Sequence, residues 1–169
     1  DLVRSRGLGD VYKRQVLELG DDLVVANSFS KFFHMTGWRL GWLVVPTGWV
    51  PAFERLAQNL YICASALAQH AALACFTPEA MAEFDRRRDV FRERRDWLVP
   101  ALRGLGFDIP VEPDGAFYVW VNCERFGIDA VTMADRLLDK AGVSLVPGTD
   151  FSAENPSYWL RVSYATSLE

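Results

Sequence analysis

The chain has 169 residues, of which 50% are apolar, so it can form one domain or slightly more around a real core. A net charge of −4 gives no reason to expect nucleic acid or an anionic membrane as a partner. The three cysteines show neither a metal-ligand spacing nor a disulfide framework, which favours the reducing cytoplasm.

Residues 1–15 are polar, basic and without periodicity. They contain no apolar segment of the kind found in a signal peptide, and no later stretch reaches the roughly 20 apolar residues of a membrane span. We expect a non-native or disordered leader here, and we exclude it from the fold prediction.

Two apolar runs frame the most informative stretch, the loop at 27–41. The run at 23–26 leads into the loop and the run at 42–45 leads out of it. Apolar runs of this length, rich in β-branched residues and bounded by turn residues, predict two buried strands. Lys31 lies between them, and burying its ammonium would favour the neutral, nucleophilic amine.

The same loop offers donors that suit an anion. The guanidinium of Arg39 is planar, stays charged and matches a phosphate, and Ser28 and Ser30 add neutral donors. An amine that can form an imine, next to an anion-binding group, fits a cofactor with both an aldehyde and a phosphate. Pyridoxal phosphate has both groups.

The loop contains Ser-x-Ser-Lys, which ends at Lys31, and Thr-Gly-Trp-Arg-Leu-Gly around Arg39. These two motifs and their spacing closely resemble those of the class I/II aminotransferase family of fold-type I pyridoxal-phosphate enzymes. The resemblance implies that Lys31 holds pyridoxal 5'-phosphate through an imine and that Ser28, Ser30 and Arg39 bind its phosphate. It also implies that amino groups move between amino acids and 2-oxo acids, in a full-length protein that forms a homodimer.

Helices are predicted after the second strand. Residues 49–77 have an apolar face and an alanine-rich half, which predict one continuous helix. Thr77 and Pro78 suit the N-cap and first position of a second, long helix that ends at Gly104 or Gly106. In the family that the chain resembles, a long helix of this kind joins two domains.

The C-terminal third predicts a small α/β domain. Its expected strands lie at 107–109, 117–121, 143–146 and 158–165, and its helix is capped by Asp129 and ended by Gly142. Arg161 lies in the last strand, where an uncompensated charge is destabilising, so we expect a carboxylate to pair with its guanidinium. The resemblance implies the α-carboxylate of the amino-acid substrate, and an internal acid is the alternative.

The expected fold is therefore α/β: two strands that remain from the sheet of a large cofactor domain, a long interdomain helix and a small C-terminal domain. The expected boundaries are 1–15 for the leader, 16–46 for the end of the large domain, 47–104 for the linking helices and 105–169 for the truncated small domain. Since the family's other site residues lie upstream, we expect this fragment alone to be inactive.

Three other functions remain open: a fold-type I carbon–sulfur lyase, the aminotransferase-like effector domain of a transcription regulator, and an interaction module built on the arginine-rich helix. His34, between Lys31 and Arg39, either is catalytic or has a supporting or surface role.

Overall fold

The computed structural model of the chain describes residues 19–20, 22–151 and 156–167. The chain divides into two compact units, the first ending at Arg88 and the second beginning at Asp89. This boundary falls inside the long helix. The domain limits expected at residues 46 and 104 stay predictions. The leader expected at 1–15 lies outside the described residues.

A two-stranded antiparallel ribbon opens the first unit. Strand β1, Val25–Ser28, pairs with strand β2, Gly41–Val44, in a register that sets Val25 opposite Val44 and Ser28 opposite Gly41. Both predicted strands are therefore present. The prediction that they are buried is wrong: the four residues of β2 are all exposed, and within β1 only Val25 is buried.

The loop between the strands has an apolar interior. Phe29, Phe33, Met35 and Leu40 are buried in a cluster whose other members come from the helices: Ala68, Ala72, Cys75 and Phe84. Phe33 makes ring contacts with Phe29 at 4.9 Å and with Phe84 at 5.8 Å. The apolar residues of the loop thus hold it against the helices, and its polar residues lie between these anchors.

The predicted continuous helix at 49–77 is wrong, because the structure has two helices there. Helix α1 spans Val50–Leu60 and helix α2 spans Ala66–Ala74. Ile62 adopts a left-handed φ of 69°, which is rare for a β-branched residue and incompatible with a continuing helix. The Ser65 hydroxyl then accepts a hydrogen bond from the Ala68 N–H and caps the new helix.

Helix α3, Pro78–Leu105, begins and ends as predicted. The Thr77 hydroxyl accepts a hydrogen bond from the Ala80 N–H at 3.2 Å. Hydrogen bonds from Arg86, and then from Arg87, lower the pKa of the Glu83 carboxyl to about 2. Because the side chains of these ion pairs are largely exposed, they contribute little to stability, as expected for a solvated helix face.

A three-stranded antiparallel sheet forms most of the second unit. Its strands are β3 (Tyr118–Asn122), β4 (Val146–Pro147) and β5 (Trp159–Ser163), in the order β3-β5-β4. Alternate residues of β3 and β5 are buried in one core: Val119, Val121, Leu160 and Val162. The other face of the sheet carries the larger polar and aromatic side chains.

Helix α4, Ala130–Ala141, packs into the same core through Ala130, Met133 and Ala134. Its predicted limits are confirmed: the Asp129 carboxylate accepts a hydrogen bond from the Thr132 N–H at 2.9 Å, and Gly142 ends the helix with a φ of 65°.

Two of the predicted strands in this unit are wrong. The segment at 107–109 forms an isolated bridge between Asp108 and Asn122, not a strand. Of the strand expected at 143–146, only Val146 lies in a strand, as the first residue of β4. Among the described residues, no helix combines the length and the apolar character needed to cross a membrane.

The Thr77 cap makes a first testable prediction. Replacing Thr77 by Ala removes the acceptor for the Ala80 N–H, so we expect the free energy of unfolding to fall by about 1 kcal/mol. Thr77→Ser keeps the hydroxyl and is the matched control. Urea unfolding followed by circular dichroism measures both variants, and equal stability of the Ala and Ser variants would contradict the capping role.

Candidate functional site

The loop at 28–41 brings four of the predicted site residues onto one connection. Ser28 ends β1, Arg39 lies two residues before β2, and Ser30 and Lys31 lie between them. The Phe29 N–H donates to the Leu40 carbonyl at 3.0 Å, which continues the ribbon beyond the last strand pair. The two ends of the loop are therefore held side by side.

Gly41 permits this close approach. A Cβ atom on Gly41 would lie 2.5 Å from the carbonyl oxygen of Asn27, a distance that backbone atoms cannot accommodate without moving. Since Gly41 is paired with Ser28, any side chain here would separate the strands beside the predicted phosphate-binding residues.

Internal hydrogen bonds define the shape of the loop. The Ser28 hydroxyl accepts from the Ser30 N–H at 3.1 Å, and the Thr36 hydroxyl donates to the Ser30 carbonyl at 2.5 Å. Arg39 donates from Nη1 to the Thr36 carbonyl at 3.0 Å and has a left-handed φ of 52°. A left-handed non-glycine residue is uncommon and tends to persist at functional positions.

Lys31 is exposed, so the prediction of a buried amine is wrong. Its neighbours Phe29 and Phe33 occupy the apolar interior, and the backbone turns between them, with the His34 N–H donating to the Lys31 carbonyl at 3.0 Å. The side chain at 31 is thereby directed away from the core. The described structure therefore leaves this amine accessible to a molecule from solvent.

An open groove of about 860 Å³ lies beside the end of the loop. Gly37, Trp38, Arg39 and Gly41 line it on the loop side, and the connection between α1 and α2 lines the other side with Tyr61, Cys63, Ala64 and Ser65. Arg39 is the charged residue among those that line it. Of the predicted cofactor-binding residues, Arg39 lines this groove, whereas Ser28, Ser30 and Lys31 are not among its lining residues.

The sequence did not lead us to predict that the connection between α1 and α2 forms one wall of this groove. The signal was present: Ser65 has the residue type and position of a helix N-cap, so a break before residue 66 could have been inferred. The left-handed Ile62, by contrast, has no sequence signal.

His34 packs against the long helix. Its ring is stacked on Phe84, with centroids 6.0 Å apart and planes at 25°. Burial, and then the charge of Arg87, lower the pKa of the imidazole, and Glu83 opposes them. The neutral form is therefore favoured, and these contacts support a packing role for His34 over a catalytic one.

Arg161 lies in the second unit, on β5 opposite Trp120 of β3. Its Cζ lies over the rings of Tyr118 and Phe151, each centroid at 4.2 Å. Its Nε is buried without a hydrogen-bond partner, and among the described residues no carboxylate pairs with it. The alternative of an internal acid thus finds no support in the described structure.

Comparison with known proteins identifies the family of this chain. Residues 4–169 match the model of the family described as aminotransferase class I and II. The chain belongs to this family. The match includes most of the segment at 1–15, whose nature as a leader stays a prediction. The α/β fold expected from the resemblance is confirmed, and aminotransferases of this family use pyridoxal phosphate.

Individual relatives agree with this assignment. The chain is 43% identical over 142 residues to a valine–pyruvate aminotransferase of Mycobacterium tuberculosis, and 39% identical over 148 residues to an aspartate/prephenate aminotransferase of Thermus thermophilus. These matches cover 84% and 86% of this chain but 37% of each relative. The chain therefore spans little more than a third of the length of these proteins.

A solved structure shows the same relation. The crystal structure of an aminotransferase from Mycobacterium tuberculosis superposes with a TM-score of 0.84 at 40% identity, covering 89% of this chain and 39% of that one. The identity and the TM-score together support the same fold over most of the chain.

Gly41 makes a second prediction. Gly41→Ala should lower the free energy of unfolding by about 1–3 kcal/mol, because the new methyl group overlaps the Asn27 carbonyl. Gly37→Ala is the matched control from the same loop, since its methyl group would meet nothing within 4 Å. Chemical denaturation measures both variants, and a Gly41→Ala variant as stable as the Gly37→Ala variant would contradict the close approach.

A third prediction concerns the pKa of His34, which should shift in opposite directions when each of its two charged neighbours is neutralised. Arg87→Gln should raise the pKa of His34, and Glu83→Gln should lower it further. Because folding lowers this pKa, the unfolded chain takes up the proton first, so the contribution of His34 to stability falls as the pH decreases through its titration range. NMR titration of the imidazole signal, assigned with His34→Asn, measures the shifts. Shifts of the same sign in both variants would contradict this electrostatic arrangement.

Proposed function

We propose that the full-length protein is a pyridoxal-phosphate-dependent transaminase and that this chain supplies its cofactor-attachment loop and its carboxylate-binding arginine. The observation that supports it most is the geometry of one loop. Between two strand ends held together at Phe29 and Leu40, the loop exposes Lys31 and carries Ser28 and Arg39 at its two ends. Membership of a family of aminotransferases supports the same conclusion.

In this proposal different residues of the loop bind different groups of the cofactor. The hydroxyls of Ser28 and Ser30 and the guanidinium of Arg39 bind the phosphate, because a planar cation flanked by neutral donors suits a tetrahedral anion. Lys31 attaches the cofactor through Nζ. When bound, pyridoxal phosphate supplies an electron sink that acidifies the substrate Cα–H.

Lys31 has a second role in the proposal. With the cofactor bound, Lys31 Nζ would also serve as the acid–base group that moves the proton at the substrate Cα. Arg161 fixes the substrate carboxylate and so orients the Cα–H bond, which is catalysis by positioning. The guanidinium of Arg161 has no carboxylate partner among the described residues, which supports this role.

The wider expectations also stand as proposals. We take the substrates to be an amino acid and a 2-oxo acid, and we place the enzyme in the cytoplasm as a homodimer that contacts neither nucleic acid nor membrane. The three cysteines are free, which suits a reducing compartment. Large apolar side chains exposed on β2 and α1, among them Trp42, Leu43 and Leu60, support a larger assembly that covers them.

The attachment point gives a fourth prediction. After incubation of the full-length protein with pyridoxal phosphate and reduction with borohydride, peptide mass spectrometry should find the covalent adduct on Lys31. Lys31→Ala should abolish the adduct and the accompanying absorbance in the near ultraviolet and visible range, and should reduce transamination by at least about 10³-fold.

Lys140→Ala is the matched control, because this lysine lies in the last turn of α4 and is exposed. It should leave the adduct, the absorbance and the turnover unchanged. An adduct that persists in Lys31→Ala, or turnover unaffected by that change, would show that the loop does not hold the cofactor.

A further inference from the structure

We infer that Tyr118 and Phe151 clamp the guanidinium of Arg161 between their rings and make it selective for planar carboxylates over tetrahedral anions. The inference rests on the carboxylate-binding role proposed for Arg161. It adds two residues to that role and gives the site a preference for the shape of the anion, not only for its charge.

The sheet register places these groups on one face. Trp120 lies directly opposite Arg161, and Tyr118, two residues earlier in β3, points to the same side because side chains alternate along a strand. Phe151 follows the turn after β4 and reaches the same guanidinium. Phe151 is in turn supported by Trp120, with ring centroids 5.9 Å apart in an edge-to-face contact.

Two aromatic rings contact the guanidinium. Both centroids lie 4.2 Å from Cζ, within the range of a cation–π interaction. One face of a guanidinium is about as wide as one six-membered ring, so we assign the two rings to opposite faces of the cation. The ring contacts also stabilise the charge, since the described residues provide no carboxylate for it.

The edges of the guanidinium differ in access. Nε is buried and has no hydrogen-bond partner, and neither Nη1 nor Nη2 shares that combination. With both faces covered and the Nε edge enclosed, a ligand reaches the cation in its own plane, along the edge formed by the two Nη atoms.

A carboxylate satisfies this geometry. Its two oxygens accept from Nη1 and Nη2, and its carbon substituent lies in the same plane as the guanidinium. A sulfonate is tetrahedral. When two of its oxygens lie in that plane, its third oxygen and its carbon lie above and below the plane, towards the rings of Tyr118 and Phe151.

The experiment compares propionate with ethanesulfonate, which differ in the shape of the anion but carry the same charge and ethyl group. Binding to the full-length protein and its variants is measured by isothermal titration calorimetry. NMR titration of the Arg161 Nε–H signal, which is assigned by its absence in Arg161→Lys, shows in the variants that keep Arg161 that the anion binds at this residue. Wild type should bind propionate about tenfold more tightly than ethanesulfonate.

The variants locate the selectivity. In Tyr118→Leu and Phe151→Leu the ratio of the two affinities should fall to within about twofold, because the removed ring no longer restricts the space beside the plane. Tyr118→Phe keeps a ring and should keep the ratio. Phe126→Leu makes the same substitution in this unit at a ring that packs on Phe107 and not on Arg161, and it should also keep the ratio.

Failure of the clamp and failure of the underlying role give different results. If Arg161→Lys abolishes propionate binding while both leucine variants keep the wild-type ratio, the clamp is wrong and the carboxylate role stands. If Arg161→Lys binds propionate as wild type does, the carboxylate role is wrong and the clamp with it. Equal affinity of wild type for the two anions overturns the clamp even if a leucine variant does not fold.

Discussion

The hydrogen bond from the Phe29 N–H to the Leu40 carbonyl is the constraint on which the candidate site depends. It extends the β1–β2 ribbon by one step into the loop and so fixes the separation of the two loop ends. Gly41 makes the approach possible, because its missing side chain leaves room for the Asn27 carbonyl. Ser28 and Arg39 owe their positions at the two ends of one loop to this short stretch of backbone pairing.

Between those ends, the loop uses its apolar residues to set the direction of its polar ones. Phe29, Phe33 and Leu40 are buried against α2 and the start of α3. The stacking of His34 on Phe84 adds a further contact with the long helix. Lys31 lies between two buried phenylalanines and is exposed, so the packing that stabilises the loop also presents the amine.

Local chemistry in the sequence was sufficient to predict several elements. Asp129 and Gly142 mark the ends of α4 and Thr77 marks the start of α3, because caps act through hydrogen bonds within a few residues. The break at Ile62 was not predictable in the same way, since a left-handed conformation contradicts the preference of a β-branched residue.

The site shows the same difference between local and long-range information. The motif around Lys31 and Arg39 was sufficient to predict that both lie on one loop, but the prediction that Lys31 is buried was wrong, because the apolar neighbours along the chain point the other way. The rings around Arg161 were also missed. Tyr118 is adjacent to it only through strand pairing, and Phe151 only through the turn after β4, so the contacts depend on a register that no local pattern specifies.

The central claim is that this loop anchors a phosphorylated aldehyde cofactor. The most direct test is a crystal structure of the full-length protein grown with pyridoxal phosphate. We expect continuous electron density from Lys31 Nζ to the cofactor, with its phosphate within hydrogen-bonding distance of Ser28 and Arg39. Density for the cofactor at any other lysine, or a phosphate bound away from Arg39, would contradict it.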